Sequence, residues 1–254
     1  MSWLTVVTVV KDDPQGFERT LKSLIQQDLA AVEFVVVDSS SDSETIPKIL
    51  AQVTLPALHF DWIVPSGIYS AMNAGLRQAQ GEYIYFLNAG DTFYDENVLE
   101  GIRAISESLQ PIWIVGRVEI YERSGARVLS ASWDYQNEKK ALFARGRFPP
   151  HQGTFVRTDS LRSVGGFDEQ FAIAADYATT LSLSEISTPH VTDRLIAKFF
   201  EGGVSTDRWQ NSFREFHLAR RLILKPRGFN SLVERFNYWK HFASVWIIRN
   251  FRRS

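Results

Sequence analysis

Four short polar stretches interrupt the apolar runs of the first ninety residues. They are Lys11-Asp12-Asp13, Asp38-Ser39-Ser40-Ser41-Asp42, Pro65-Ser66-Gly67 and Asn88-Ala89-Gly90-Asp91. Three of the four combine carboxylates with small polar groups. Carboxylates are hard oxygen ligands for Mg²⁺ or Mn²⁺ and good acceptors for N–H and O–H donors. A further acid, Asp176, follows the turn Gly165-Gly166-Phe167-Asp168, and His151 sits in Pro149-Pro150-His151-Gln152-Gly153. An ionised carboxylate can take a proton from an attacking hydroxyl. Other chemistries are excluded. There is no cysteine, hence no thiol catalysis, disulfide framework or Cys-ligated zinc. The five histidines show no HExxH spacing. No GxGxxG follows the first apolar run and no GxxxxGK[ST] occurs, which argues against a dinucleotide fold and excludes a P-loop.

The elements around these stretches must place them at one edge. Trp3 to Val10 and Val32 to Val37 are continuous apolar, β-branched runs, suited to parallel strands buried on both faces. Asp13-Pro14 marks a helix start, with Phe17, Leu21, Leu24 and Ile25 at helical spacing. Asp42 reads as the N-cap of a helix over Glu44 to Val53. A strand is expected near Leu58 to Val64, a helix from Ile68 to Gln80 and a strand from Glu82 to Leu87. Strand–helix alternation of this kind predicts an α/β fold with a mostly parallel sheet. Ligands of such sheets bind outside the carboxyl ends of the strands, where the four polar stretches fall. Beyond residue 95 the alternation weakens. A helix near 96–109 precedes strand-like runs at Ile112 to Tyr121 and Ala126 to Trp133, then a basic loop at Arg145 to Gln152. Thr154 to Arg157 reads as a strand followed by a short helix, Ala174 to Leu183 as a helix and Val191 to Phe200 as extended.

With these segments in order, the chain resembles family 2 glycosyltransferases of the GT-A fold. It is most similar to the bacterial branch that builds surface polysaccharides (colanic acid-type, exopolysaccharide and O-antigen). The resemblance rests on Thr5 to Asp13, Val35 to Asp42, Gly67 to Gly75, Gly81 to Asp91, His151 to Gly153, Gly165 to Glu169 and Ala174 to Tyr177, and spans about residues 3–206. It implies a nucleotide-sugar donor and a divalent metal, Mn²⁺ or Mg²⁺. Asp91 would be the metal ligand, in a reduced Asp-x-Asp position where Asn88 replaces the first acid. Asp38 would receive hydrogen bonds from the nucleotide. Thr8, Asn73 and Asn88 would join the donor site, and His151 and Gln152 would touch acceptor or phosphate. Asp176 would be the general base of an inverting, in-line displacement. Each acid also has a plainer use. Asp91 and Asp38 suit turns, Asp176 suits an exposed helix start, and Asp168 competes with it as base. His151 suits a structural hydrogen bond, and Asn73 and Asn88 suit caps. Relatives often carry acids just before Gly67 and at Ser70, and this chain has neither. That departure keeps a second class open: a weakly active or inactive nucleotide-sugar-binding scaffold in a glycan assembly complex.

The resemblance divides the chain into a nucleotide-sugar-binding half (1–110), an acceptor-binding half (111–203) and an extension (204–254). A formal net charge of −1 hides a matching asymmetry. Residues 204–254 carry 11 Lys+Arg against 3 Asp+Glu, leaving 17 against 26 for the preceding 203 residues. The extension also holds Trp209, Trp239 and Trp246, and places Leu232, Phe236, Trp239, Ala243 and Trp246 on one helical stripe. A basic aromatic amphipathic helix of this kind suits an anionic membrane surface, contacted through residues 229–254. Docking on the catalytic domain and a homodimer contact are the alternatives. The acceptor expected from the resemblance is a glycan, often lipid-linked, which fits a peripheral position on the inner face of the cell membrane. Without cysteine the chain suits a reducing cytoplasm. No nucleic-acid motif accompanies the charge, so nucleic acid is not an expected partner.

Overall fold

The computed structural model describes residues 2–121, 125–130, 135–200 and 209–228, and separate positions between 232 and 243. Among them, nine strands form one mixed sheet. Strands β1 (Leu4–Val10), β2 (Val32–Asp38), β3 (Leu58–Trp62) and β4 (Tyr83–Phe86) run parallel in the order β3-β2-β1-β4. The sheet continues through β8 (Thr154–Arg157), β6 (Trp113–Tyr121), β9 (His190–Phe200) and β5 (Thr92–Phe93), while β7 (Arg127–Leu129) pairs β6. The junction of β4 with β8 is antiparallel, and so is that of β8 with β6. Direction therefore changes where the predicted alternation weakened.

Both faces of the central strands are buried. Val7, Val9, Val35 and Val37 pack with helices α3 (Ile68–Gln78) and α7 (Ala175–Ile186) on one side. Leu4, Val6, Val10, Phe34 and Val36 pack with α1 (Pro14–Leu24) and α4 (Val98–Leu109) on the other. This two-sided burial is why the strands read as unbroken apolar runs rather than as alternating ones.

The helix at Asp13-Pro14 starts as expected, with the Asp13 carboxylate accepting the Gly16 N–H at 2.8 Å. Asp42 departs from expectation. It accepts the Glu44 N–H at 2.9 Å and the Thr45 hydroxyl, while Glu44 occupies the N-cap position of α2 (Thr45–Leu50). It therefore closes the turn before the helix rather than capping it. Two elements have no counterpart in the sequence pattern: the two-residue β5 and helix α5 (Tyr135–Ala144). Among the described residues of α5 the buried apolar ones are Leu142 and Phe143 in its last turn, too few to give a helical periodicity. In the Ala126 to Trp133 run, strand structure covers Arg127–Leu129, and residues 131–134 lie outside those described. The short helix α6 (Thr158–Ser163) follows β8. In the extension, α8 (Trp209–Leu224) packs on α7 through the ring contact of Phe216 with Tyr177, and Phe216 also meets Phe148 of the loop before His151.

Candidate active site

The carboxyl ends of β1, β2 and β4 meet at one edge, because Val10 pairs Asp38 and β4 lies on the other side of β1. The loops after β1 and β2 are clasped. Asp12 takes a left-handed φ of 53°, donates its N–H to Ser40 Oγ at 2.8 Å, and accepts the Ser41 N–H at 2.8 Å. The loop after β4 is anchored from α1. The Thr20 hydroxyl donates to the Asp91 carbonyl at 2.7 Å and accepts the Gly90 N–H at 3.0 Å. Gly90 has φ +99°, which a side chain would strain, so the turn needs glycine there.

Asp38 is fully buried. Its Oδ1 accepts the Ser40 N–H at 2.8 Å, and its Oδ2 has no hydrogen-bond partner. The Asn88 side-chain Oδ1 is likewise buried and unpartnered. Among the described residues these two are the buried side-chain acceptors left without a donor, and both lie at this edge. Leaving such an atom unsatisfied costs about 1–3 kcal/mol, so the edge is built for something that donates or is positively charged. Trp62 closes one flank. Its indole N–H donates to the Ser40 carbonyl at 3.1 Å and its ring is partly exposed.

Asp91 is buried, and burial pushes its carboxyl up to about 7. His151, a hydrogen bond from the Gln152 side chain and the Phe200 N–H all pull the other way. A divalent cation would displace the proton that burial favours. The chemistry of the donors fits Mg²⁺ or Mn²⁺: one carboxylate at Asp91 and one free amide oxygen at Asn88, within a single four-residue turn. Among the described residues no group of three or more His, Asp or Glu forms a ready cage. A site completed by substrate phosphates needs only one or two carboxylates.

His151 and Gln152 enter on a single 3₁₀ turn (His151–Gly153). His151 bridges the two halves. Its Nε2 lies 3.2 Å from Asn88 Nδ2, and its Nδ1 lies 3.9 Å from Asp176 Oδ2. With the Asn88 amide donating, Nε2 is the acceptor and the proton of a neutral ring sits on Nδ1, facing Asp176. Asp176 lies in the first turn of α7. Its Oδ1 accepts the Tyr177 N–H at 2.7 Å and the Tyr69 hydroxyl at 3.3 Å. Tyr69 also donates to the Ile173 carbonyl, and burial, reinforced by the Asp176 charge, raises its hydroxyl above the ordinary range.

The structure thus brings Asp38, Asn88, Asp91, His151, Gln152 and Asp176 along one edge and gives Thr8 and Asn73 partners within the protein. Thr8 is fully buried and donates its hydroxyl to the Leu87 carbonyl at 2.7 Å, so it braces the strands below the edge. Asn73 spends its amide on the turn before α7. Its Nδ2 donates to the Phe167 carbonyl at 2.7 Å and to Glu169 at 2.9 Å, and its Oδ1 accepts the Phe167 N–H at 2.9 Å. Both amide atoms are thus engaged with the turn. Gly166, at φ +69°, lets Asn73 approach, since a Cβ there would meet Asn73 Oδ1 at 2.7 Å. Asp168, the rival base, accepts the Gln170 N–H at 3.0 Å within the turn. Tyr69 and Thr20 are site residues that the sequence reading did not assign. Tyr69 stood inside a matching stretch, whereas nothing in the pattern marks Thr20. A separate cavity of about 450 Å³ lies between α5, α7 and α8, lined by Lys139, Phe143, Leu181, Arg220 and Leu224, and none of the edge acids reaches it.

A family model described as glycosyl transferase family 2 matches residues 5–165. A curated relative, the PGL/p-HBAD biosynthesis glycosyltransferase of Mycobacterium bovis, is 27% identical over 216 residues, covering 82% of this chain and 78% of its own. The Staphylococcus aureus TarS structure in complex with UDP-GlcNAc superposes with a TM-score of 0.66 at 18% identity, covering 87% of this chain and 67% of that one. Against a longer TarS chain, the match spans 40% of the TarS length. The mannosyltransferase PcManGT from Pyrobaculum calidifontis, in complex with GDP-Man and Mn²⁺, gives a TM-score of 0.64 at 15% identity over 98% of this chain and 75% of its own.

Proposed function

The chain belongs to glycosyl transferase family 2, and from that premise we propose that it moves one sugar from a nucleotide-diphosphate donor to a glycan hydroxyl with inversion. The observation that carries this is the pair of orphaned buried acceptors, Asp38 Oδ2 and Asn88 Oδ1, on the edge that His151 links to Asp176. Asp38 takes hydrogen bonds from the nucleoside. Asp91 and Asn88 would hold a divalent cation, whose chemistry when bound is to supply positive charge against the leaving diphosphate. Asp176 Oδ2 accepts the proton of the acceptor hydroxyl, and Tyr69 fixes the other carboxylate oxygen. His151 stands between base and donor side and keeps the two in register. Structural neighbours solved with UDP-GlcNAc and with GDP-Man and Mn²⁺ support a nucleotide-sugar donor and a metal.

The extension supports a lipid-linked acceptor at an anionic membrane surface. Leu232, Phe236 and Trp239 are 63%, 68% and 61% exposed, which favours a membrane contact over docking on the catalytic domain. Exposed Leu218 and Leu222, with Arg221, Lys225 and Arg227, add apolar and basic surface nearby. Among the described residues no helix is long and apolar enough to cross a membrane. Co-sedimentation with anionic vesicles should fall at least several-fold when Leu232, Phe236 and Trp239 are changed to serine. Unchanged binding removes the membrane reading, and loss of a dimer in its place favours self-association.

The direct test of the activity is a donor screen read by mass spectrometry, with lipid extract as acceptor and with and without Mn²⁺. Transfer from one nucleotide sugar is the expected result. The loop Pro65-Ser66-Gly67 lacks the acid that relatives often carry, and this favours the scaffold reading as the second choice. Nucleotide-induced thermal stabilisation without transfer or hydrolysis of any donor would select it.

A further inference from the structure

Helix α7 begins without a cap of its own. Ala174 stands at its N-cap position and offers no side-chain acceptor. The acceptor arrives from α8, more than forty residues later. Glu215 Oε2 accepts the Ile173 and Ala174 N–H groups, each at 2.9 Å, and Oε1 accepts the Ala172 N–H at 3.2 Å. Asp176 lies two residues past the last of these amides. Free amides at a helix start are strong donors that capture any carboxylate within reach. With Glu215 engaged, Asp176 takes only the Tyr177 N–H and the Tyr69 hydroxyl on Oδ1, and Oδ2 turns toward His151. The loop is tied at its carbonyl too, since Tyr69 donates to Ile173 O.

Helix α8 is itself fixed. Buried Arg220 donates to the Phe143 carbonyl at 3.0 Å and to the Tyr177 hydroxyl at 2.9 Å, and pairs with Glu234 at 2.6 Å. Charge-assisted bonds of this kind are about twice as strong as neutral ones. The basic extension is therefore partly built into the site.

We propose that Glu215 is a positioning residue for the reaction: by holding the Ala172–Ala174 backbone it keeps the Asp176 carboxylate aimed at the acceptor hydroxyl. This role rests on the assignment of Asp176 as base. A misplacement of about 1 Å can cost on the order of 100-fold in rate. Glu215→Ala should therefore lower kcat by roughly 100-fold while donor KM stays within about twofold. Glu215→Gln keeps an oxygen for the Ile173 and Ala174 amides and should rescue kcat to within about fivefold of wild type. Combined with Asp176→Asn, Glu215→Ala should add less than a further twofold loss, because two residues acting through one function are not additive. Should Glu215→Ala not fold, Glu215→Asp keeps the charge but stops one methylene short of the amides, and a kcat about tenfold below wild type is expected. A wild-type kcat in the folded Ala or Asp variant overturns the role, and so does a full multiplicative loss in the double variant. If Asp176→Asn alone stays active, the base assignment falls and this role falls with it. If Asp176→Asn is inactive while Glu215→Ala is fully active, only Glu215 is dismissed.

Discussion

The two sides of the site are positioned by different means. On the donor side, Asp38 and the Asn88–Asp91 turn sit at strand ends, and the register of β1 against β2 and β4 puts them together. Their braces, Thr20 across 71 residues and the Asp12–Ser40 clasp across 28, come from the same half. On the base side, Asp176 sits at a helix start that no strand end fixes. Tyr69 from α3 bonds it directly, while Asn73 from α3 and Glu215 from α8 hold the chain that leads to it, Glu215 from outside that half of the sheet domain. The donor side also keeps unsatisfied acceptors in reserve, whereas Asp176 has both oxygens directed. On the proposed function, one side is thus poised for an incoming ligand, and the other for a proton transfer at a defined atom.

If that division is right, damage to the two sides separates into rate and binding. The largest effect expected is from Asp176→Asn. Loss of a general base typically costs about 10²–10⁴-fold, and it should fall on kcat with nucleotide affinity unchanged. Single-turnover rates and nucleotide titrations check both halves of the statement. A residual rate within a few-fold of wild type breaks the comparison at its base side.

Asp91→Asn tests the donor side through stability. Burial raises the Asp91 carboxyl to about 7, so between roughly pH 4 and 7 the folded chain holds a proton that the unfolded chain has lost. Stability from this group is full at low pH and declines as pH rises through 7, by an amount on the order of 2–4 kcal/mol. In metal-free buffer, the Tm of Asp91→Asn relative to wild type should accordingly rise by several degrees between pH 5 and pH 8. The same variant should lose any Mn²⁺-dependent stabilisation by nucleotide. A pH-independent Tm difference contradicts the buried, proton-binding carboxyl. Nucleotide stabilisation that still needs Mn²⁺ moves the metal elsewhere.

Asp38→Asn should be smaller and confined to binding. It replaces an orphaned acceptor with an amide that can place a donor there, at about 1–3 kcal/mol in nucleotide affinity, or roughly 5–150-fold. Calorimetric titration of nucleoside diphosphates reads this directly. A loss in kcat with unchanged affinity would put Asp38 on the wrong side of the comparison.

The same division explains what could be read in the sequence. Strand ends announce themselves, because an apolar β-branched run stops at a polar residue, as at Val37-Asp38 and Leu87-Asn88. The strand-end acids and the first four strands were therefore legible with near-final boundaries. The hydroxyl bond of Thr8 to the Leu87 carbonyl was not legible, because Leu87 lies at the end of another strand. Nor was the bond of Asn73 to the Phe167 backbone, 94 residues away. Glu215 gives no local sign at all. It is one acid in a basic helix, and its purpose exists only once α8 meets the start of α7. The resemblance to the family supplied Asp176 without supplying what holds it.

Asn73 gives the smallest and most discriminating test, because it is a brace that looks like a ligand. Asn73→Ala removes two bonds to the Phe167 backbone and one to Glu169, and leaves the rest of α3 intact. The expected destabilisation is about 1–2 kcal/mol, or a few degrees in Tm. Because the Gly166-Phe167 turn leads into α7, kcat should fall a few-fold as Asp176 loosens. As a brace, Asn73 should leave donor affinity unmoved. A fall in donor affinity with Tm and kcat unchanged would return Asn73 to the donor side, and the line between the two halves would then have to be redrawn through α3.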